Sequence, residues 1–188
     1  MEVAEFVLAE LPRAPSSVLE VGCGTGELVR LLIDEGYSAV GVDPDAPRGP
    51  AFRRSTIEEL AERGAFDAVV ASRSLHHVSD LSIALDRIVA LLRPHGTVVI
   101  DEFAWDRLDA RAAGRLGIPI EEWREEHADL HTSDAMLGEL DRRFSRRSFS
   151  WEPYLYRESR KAVDEQAERK LIEAGGLQPT GFRYVGVR

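Results

Sequence analysis

Apolar and polar positions along the first hundred residues follow two alternating rhythms. Val3, Phe6, Val7 and Leu11 recur at helical spacing, which predicts a short helix over 2–11 that stops near Pro12. The run "SVLEVG" then reads as a buried strand, and Leu28, Leu31 and Leu32 predict one apolar face of a helix ending at Gly36. Short apolar runs return at 38–43 and, more weakly, at "AFRRS" (51–55), then strongly at "FDAVVAS" (66–72). A helical stripe through Leu81, Leu85, Ile88, Leu91 and Leu92 ends at "RPHG", and "TVVIDEF" (97–103) is a further fully buried strand. Strands that alternate with helices or short crossovers predict a parallel sheet in an α/β fold.

The rhythm changes after residue 103. Residues 104–135 are charged, carry Trp105 and Trp123, and show no strand signal, so they predict a lid over the strand ends. "DAMLGELDRRF" predicts a helix. "RRSFSWEPYLYRE" and "TGFRYVGVR" predict two late strands separated by the helix "DEQAERKLIEAGG", which suggests an antiparallel edge. No repeat or low-complexity linker divides the chain, so residues 1–188 are read as a single domain with 104–135 as an insertion.

Composition narrows the partners. A length of 188 residues, 44% of them hydrophobic and 30% charged, suits one soluble globular domain. No apolar run is long enough for a bilayer, and the acidic start "MEVAEFVLAELPRAP" lacks the basic region of a signal peptide, so a cytoplasmic location is expected. The single cysteine, Cys23, lies inside a glycine turn and is expected to be buried and reduced. A net charge of −9 argues against nucleic-acid or anionic-membrane partners. "DRRFSRR" (141–147) is the one basic cluster, read as a helix end running into an edge strand.

The stretch "VLEVGCGTGELVRLL" (18–32) carries the chemistry. A phosphate loop needs Gly-Lys-Ser/Thr, but Gly26 is followed by Glu27 and Leu28. A dinucleotide turn needs G-x-G-x-x-G; here Glu27 takes the last position and would set a carboxylate beside a pyrophosphate. A nucleoside cofactor without phosphates fits better, because glycines allow close backbone approach and a helix N-terminus offers N–H groups to a carboxylate. Asp43 ends the second strand, 21 positions after Gly22, where an acid can accept hydrogen bonds from both ribose hydroxyls.

On "VLEVGCGTG" with its helix, "AVGVD", "FDAVVASRSLHHV" and "ALLRPHGTVVIDE", residues 15–103 resemble the class I S-adenosylmethionine-dependent methyltransferases. The resemblance implies a Rossmann-like three-layer sandwich with a mostly parallel seven-stranded sheet, order 3-2-1-4-5-7-6, the seventh strand antiparallel. It implies S-adenosyl-L-methionine as cofactor, with Glu20, Gly22, Cys23 and Gly24 along its methionine part. By the same resemblance Asp43 holds the ribose, Pro44, Thr56 and Ile57 meet the adenine, and Ser72 offers a backbone carbonyl to the methionine amino group. Leu75 and His77 then face the transferable methyl or the substrate mouth. Two departures stand out: "PDAPRGP" replaces a helix after the second strand, and the segment after the third strand reads "RRSTIEEL", with Glu58 its nearest acid to the usual adenine-binding Asp.

The implied chemistry is methyl transfer to a small organic acceptor by in-line displacement, which needs proximity and water exclusion more than a catalytic triad. His77 is the candidate general base; the competing assignment has His77 anchoring the loop and His76 in solvent. Glu102, Trp105 and Trp123 are candidates for contacting the acceptor, and Trp151, Tyr154 and Tyr156 add aromatic surface for an apolar pocket. His127 and His131 stand one turn apart near Asp129, but no H-E-x-x-H motif supports a metal, so no metal is assigned. A non-catalytic S-adenosylmethionine-binding or regulatory module is the alternative. Methylation of RNA or protein is disfavoured by the acidic charge and by "SRSLHHV" where an amine-binding motif would stand.

Overall fold

A computed structural model describes residues 3–158 and 163–188. In chain order the elements are α1 (Val3–Glu10), β1 (Ser17–Val21), α2 (Glu27–Asp34), β2 (Ser38–Val42), β3 (Phe52–Arg53) and β4 (Phe66–Ser72). Next come α3 (Leu81–Leu91), β5 (Leu92–Phe103), α4 (Ala110–Leu116), α5 (Ile120–Glu126) and α6 (Ser133–Arg143). β6 (Ser145–Glu152), α7 (Leu155–Glu158), α8 (Glu165–Glu173) and β7 (Gly181–Val187) complete the chain. One sheet holds the strands in the order β3-β2-β1-β4-β5-β7-β6, as the resemblance implied. β1 to β5 pair in parallel, whereas β7 runs antiparallel to both β5 and β6.

Both faces of the central strands are covered, which is why their apolar residues form near-continuous runs rather than alternating with polar ones. Leu19, Val69 and Ile100 point to the face packed by α3 and α6. Val18, Val70 and Val99 point to the other, where Phe6 and Val7 of α1 and Val29 and Leu32 of α2 meet them. A third cluster lies beyond the end of β5, where Phe103, Trp123, Tyr154 and Leu177 join α4, α5 and α7. Asp80, Asp109, Thr132 and Asp164 each cap a helix by accepting a hydrogen bond from a first-turn N–H. Among the described residues no helix is long and apolar enough to cross a membrane.

Three expectations need correction. The apolar face of α2 is Val29 and Leu32; Leu28 and Leu31 are only partly covered and line a cavity instead. Leu92 opens β5 rather than closing α3. The strand expected over 146–158 stops at Glu152, because Pro153 breaks the ladder and the buried Glu168 carboxylate gathers the following backbone. Its Oε1 accepts from Tyr154 N (2.8 Å) and Leu155 N (3.0 Å), and its Oε2 from Tyr156 N (2.8 Å). That carboxylate organises α7.

At the basic cluster, α6 ends at Arg143 and the edge strand β6 begins at Ser145, as expected. Arg143 pairs with Asp86 and Glu139, Arg146 with Asp141 and Arg147 with Glu10. These arginines are engaged within the protein surface.

Candidate functional site

The carboxyl ends of β1, β2 and β4 open onto two cavities that share Gly22 and Arg73 in their linings. The smaller, about 310 Å³, is bounded by Asp43, Pro44, Thr56, Ile57, Ser74 and His77. The larger, about 800 Å³, is bounded by Glu20, Cys23, Gly24 and Ser72 on the sheet side, and by α1, α2 and α7 around its rim. Both volumes fall in the range of small-ligand sites.

The turn between β1 and α2 is held open by backbone geometry. Gly22, Gly24 and Gly26 all have positive φ, at 71°, 47° and 77°. At Gly22 space also forbids a side chain, since a Cβ would stand 2.3 Å from Ser74 Cβ. Gly26 is the N-cap of α2 and supplies no side-chain acceptor, so N–H groups of the helix's first turn stay open. Asp43 reaches back across the turn: its Oδ2 accepts from Gly24 N at 3.0 Å and its Oδ1 from Asp45 N at 2.8 Å.

Glu20 is the unusual group. It is the penultimate residue of β1 at 5% exposure, and its Oε2 is buried with no hydrogen-bond partner among the described residues. Burial pushes its pKa up to about 8, with Asp43 adding to the rise and a backbone hydrogen bond at Val29 opposing it. The carboxyl is therefore neutral at pH 7 until a cation approaches. Burial also pushes the Cys23 thiol up to about 11, with Glu20 and Asp43 contributing, so this free cysteine is a protonated wall of the cavity.

The loop after β4 keeps His77 on the cleft and reverses the competing assignment of its two histidines. Leu75 and His76 turn inward and His77 is exposed on the smaller cavity. His76 Nδ1 lies 2.5 Å from Glu102 Oε2, and Glu102 Oε1 accepts from Ser74 N (2.7 Å) and Leu75 N (2.6 Å). Glu102 Oε2 also accepts from Phe103 N at 3.2 Å. Glu102 is thus fully buried with both oxygens occupied, and holds the loop rather than an acceptor. Leu75 is fully buried in the main core and lines neither cavity. Partial burial, then the neighbouring His76, lower the His77 pKa against smaller opposing effects from Glu102 and Glu158.

Trp105 and Trp123 also lie elsewhere. Trp123 Nε1 donates to Trp105 O at 3.1 Å, and the His127 ring stacks on both indoles. Together they bound a separate surface cavity of about 460 Å³. No residue of 104–135 lines either of the two cavities at the strand ends; the rim of the larger one is α1 and α7. His131 Nε2 faces Val78 O at 2.8 Å and His127 Nδ1 faces Trp123 O at 2.7 Å. Among the described residues no group of three or more His, Cys, Asp or Glu is arranged to hold a metal ion. Of the remaining aromatic candidates, Tyr156 lines the larger cavity, Tyr154 stacks on Phe103, and Trp151 lies under the Arg107 guanidinium.

Sequence reasoning missed Arg73 and Arg157, both on the larger cavity. Arg73 had a signal, as the residue just past a central parallel strand, where crevices form in such sheets. Arg157 had none, since its approach depends on the Glu168 contact.

A family model described as a methyltransferase domain matches residues 2–149. A ubiquinone biosynthesis O-methyltransferase of Bradyrhizobium diazoefficiens is 34% identical over 96 residues, 44% of this chain and 38% of the relative. The chain therefore spans about two-fifths of the length of the curated relatives it matches. Among solved structures, an S-adenosylmethionine-dependent methyltransferase from Mesorhizobium loti superposes with a TM-score of 0.66 at 20% identity, covering 99% of this chain and 98% of that one. The geranyl diphosphate C-methyltransferase of Streptomyces coelicolor, solved with S-adenosyl-L-homocysteine, gives 0.68 at 16% identity, covering 98% and 78%. At these identities the structural likeness concerns the fold.

Proposed function

The chain belongs to the methyltransferase-domain family, and from that premise we propose that it transfers the methyl group of S-adenosyl-L-methionine to a small organic acceptor. The observation that carries the reading is Glu20: a buried carboxyl whose Oε2 has no partner among the described residues, beside a glycine turn, in a cleft whose other cavity is closed by Asp43. A buried acid oxygen without a partner is costly unless a ligand completes it. An ammonium group is the complement it lacks, and the cofactor's methionine part carries one.

The residues divide the work along the cleft. Glu20 accepts from the amino group and becomes ionised as it does so. The open N–H groups of the α2 first turn suit the carboxylate, and the Ser72 carbonyl is a further acceptor. Asp43 exchanges its bond to Gly24 N for ribose hydroxyls, while Pro44, Thr56 and Ile57 wall the adenine side. When bound, S-adenosylmethionine supplies a methyl already activated by its cationic sulfur. The protein's task is then to hold the acceptor in line and exclude water. His77 is the candidate base for an acceptor that arrives protonated, because its lowered pKa keeps the imidazole neutral and able to take a proton at pH 7. A cytoplasmic setting, in which the one thiol stays reduced, belongs to the same proposal.

Calorimetric titration with S-adenosylmethionine and S-adenosylhomocysteine tests the cofactor; no heat at millimolar ligand would end the proposal. Asp43→Ala should weaken binding by tenfold or more, and unchanged affinity would remove its ribose role. Transfer of labelled methyl to acceptors in a metabolite extract separates an enzyme from a cofactor-binding module.

A further inference from the structure

Two guanidinium groups line the larger cavity of a chain whose net charge is −9. Arg73 is the first residue past β4 and has φ 55°, a left-handed conformation that is unfavourable for a non-glycine residue. Its backbone N–H donates to Asp101 O at 2.9 Å, which fixes that conformation. Its guanidinium has no hydrogen bond or ion pair among the described residues.

Arg157 is held far more tightly. Its Nη1 lies 3.1 Å from Asp101 Oδ2 and its Nε donates to Tyr156 Oη at 2.9 Å. The guanidinium sits 5.1 Å from the Tyr154 ring centroid and 5.3 Å from that of Tyr156. Nη2 has no hydrogen-bond partner among the described residues. Asp101 is shared, because Arg183 Nε also donates to its Oδ1 at 2.9 Å, and Arg157 keeps Nη2 as an open donor at the α7 wall. Glu20 adds no negative charge at pH 7 in the empty cleft, and Glu27, the other acid of the lining, stands on the first turn of α2. Between these groups the rim is apolar, with Val3 from α1 and Leu28 and Leu31 from α2.

We propose that the α7 end of the larger cavity is an oxyanion subsite. The methyl acceptor is an amphipathic carboxylate or phosphate: its anionic group pairs with Arg157 and Arg73, and its apolar body lies on Val3, Leu28 and Leu31. A guanidinium fork matches either oxyanion in geometry, and one already immobilised by Asp101 and two tyrosines loses little freedom on binding. The proposal rests on the methyl-transfer reading only for calling this ligand the acceptor.

The test is calorimetry on the full chain saturated with S-adenosylhomocysteine, using benzoate, phenyl phosphate and neutral benzamide as probes. At least one anion should bind at least tenfold more tightly than benzamide, and the preferred anion distinguishes carboxylate from phosphate. Arg157→Gln should cut anion affinity about tenfold to a hundredfold, the worth of a lost charge-assisted pair, while S-adenosylhomocysteine affinity stays within twofold. Arg157→Lys, which keeps the charge without the fork, should fall between, and matching thermal melts show that both variants are folded. Benzamide equal to both anions, no binding of either anion, or an unchanged anion affinity in folded Arg157→Gln would overturn the subsite. If Arg73→Gln loses S-adenosylhomocysteine affinity instead, Arg73 serves the cofactor carboxylate and its share in the subsite is overturned. If the wild type gives no heat with S-adenosylhomocysteine, the methyl-transfer reading fails, and benzoate titrated alone then decides the subsite by itself.

Discussion

Glu20→Gln is the sharpest test of the cleft's electrostatics. The carboxyl titrates near 4.5 in an unfolded chain and near 8 in the folded one, so between those values the folded state holds a proton that the unfolded state has released. Stability then falls as pH rises through that window, by on the order of 4–5 kcal/mol across the whole of it. Below pH 4.5 the group is neutral in both states and contributes no pH dependence; above about 8 the penalty of a buried, unpartnered carboxylate is complete. Glutamine cannot titrate. Urea denaturation at pH 5.5 and 8.5 should therefore show the variant gaining on the wild type by about 3 kcal/mol between the two conditions. Using the difference between the proteins cancels the other titrating groups. Parallel pH dependence in wild type and variant would refute the argument, because it would mean that Glu20 is ionised in the folded cleft at neutral pH. The same group makes a second measurement available. Binding of S-adenosylhomocysteine at pH 7 should release close to one proton in the wild type and far less in Glu20→Gln, read from binding heats in buffers of different ionisation enthalpy.

Three further tests address the frame around the cleft. Glu102→Gln should cost about 2–4 kcal/mol in urea denaturation, because a buried carboxylate that receives three backbone N–H groups and faces His76 loses its charge and one acceptor; full stability with lost activity would return Glu102 to the acceptor. Gly22→Ala should abolish S-adenosylhomocysteine binding, since its Cβ would stand 2.3 Å from Ser74 Cβ at φ 71°. Adding Ser74→Gly removes that collision and should restore folding to within about 1–2 kcal/mol of the wild type, the remaining cost of the left-handed backbone; no recovery would show that the collision is not the cause. Glu168→Gln should cost about 1–3 kcal/mol and speed proteolysis at 153–158, because one of its three backbone donors then faces an amide N–H instead of an oxygen; unchanged protection would show that α7 stands without it.

Most of the frame was legible because it rests on local pattern. β1, β4 and β5 carry near-continuous apolar runs since both of their faces are covered, and a run of that kind is visible in any window. The strand order, by contrast, came from the resemblance carried by the glycine turn and its neighbours, not from periodicity. The errors share one cause, a side chain whose direction is set by something distant. Which of the adjacent His76 and His77 turns inward is left open in the sequence for the same reason, since the Glu102 carboxylate decides it. Residues 154–158 read as strand until Glu168, ten or more positions away, bends them into α7. Leu28 and Leu31 fit the helical stripe of α2 as well as Val29 does, yet the phase at which the helix meets the sheet assigns them to the cavity. Trp123 Nε1 donates to Trp105 O, Trp105 Nε1 donates to His131 O and the His127 ring stacks on both indoles, so their aromatic surface is spent away from the strand ends.

A common device underlies the cleft. Glu102 gathers backbone N–H groups of the loop after β4, Glu168 gathers those that begin α7, and Asp43 reaches Gly24 N in the turn after β1. Each acid ties a segment that bounds a cavity to an element of the rigid sheet or its helices. Backbone N–H groups outside a ladder are otherwise left to water, so a carboxylate that takes two or three of them converts a loop into a fixed wall. Asp101 performs the same service for side chains, holding Arg157 against Arg183. Of the acids set along the strand ends, Glu20 alone among the described residues has a buried oxygen without a partner. The contrast follows from position: the other acids complete contacts within the protein, whereas Glu20 faces a cavity in which a ligand can complete it. The walls can be rigid before binding because most of their polar groups are already satisfied. The ligand's charge then meets a site in which Glu20, the open N–H groups of the α2 first turn and the two arginines have something left to give.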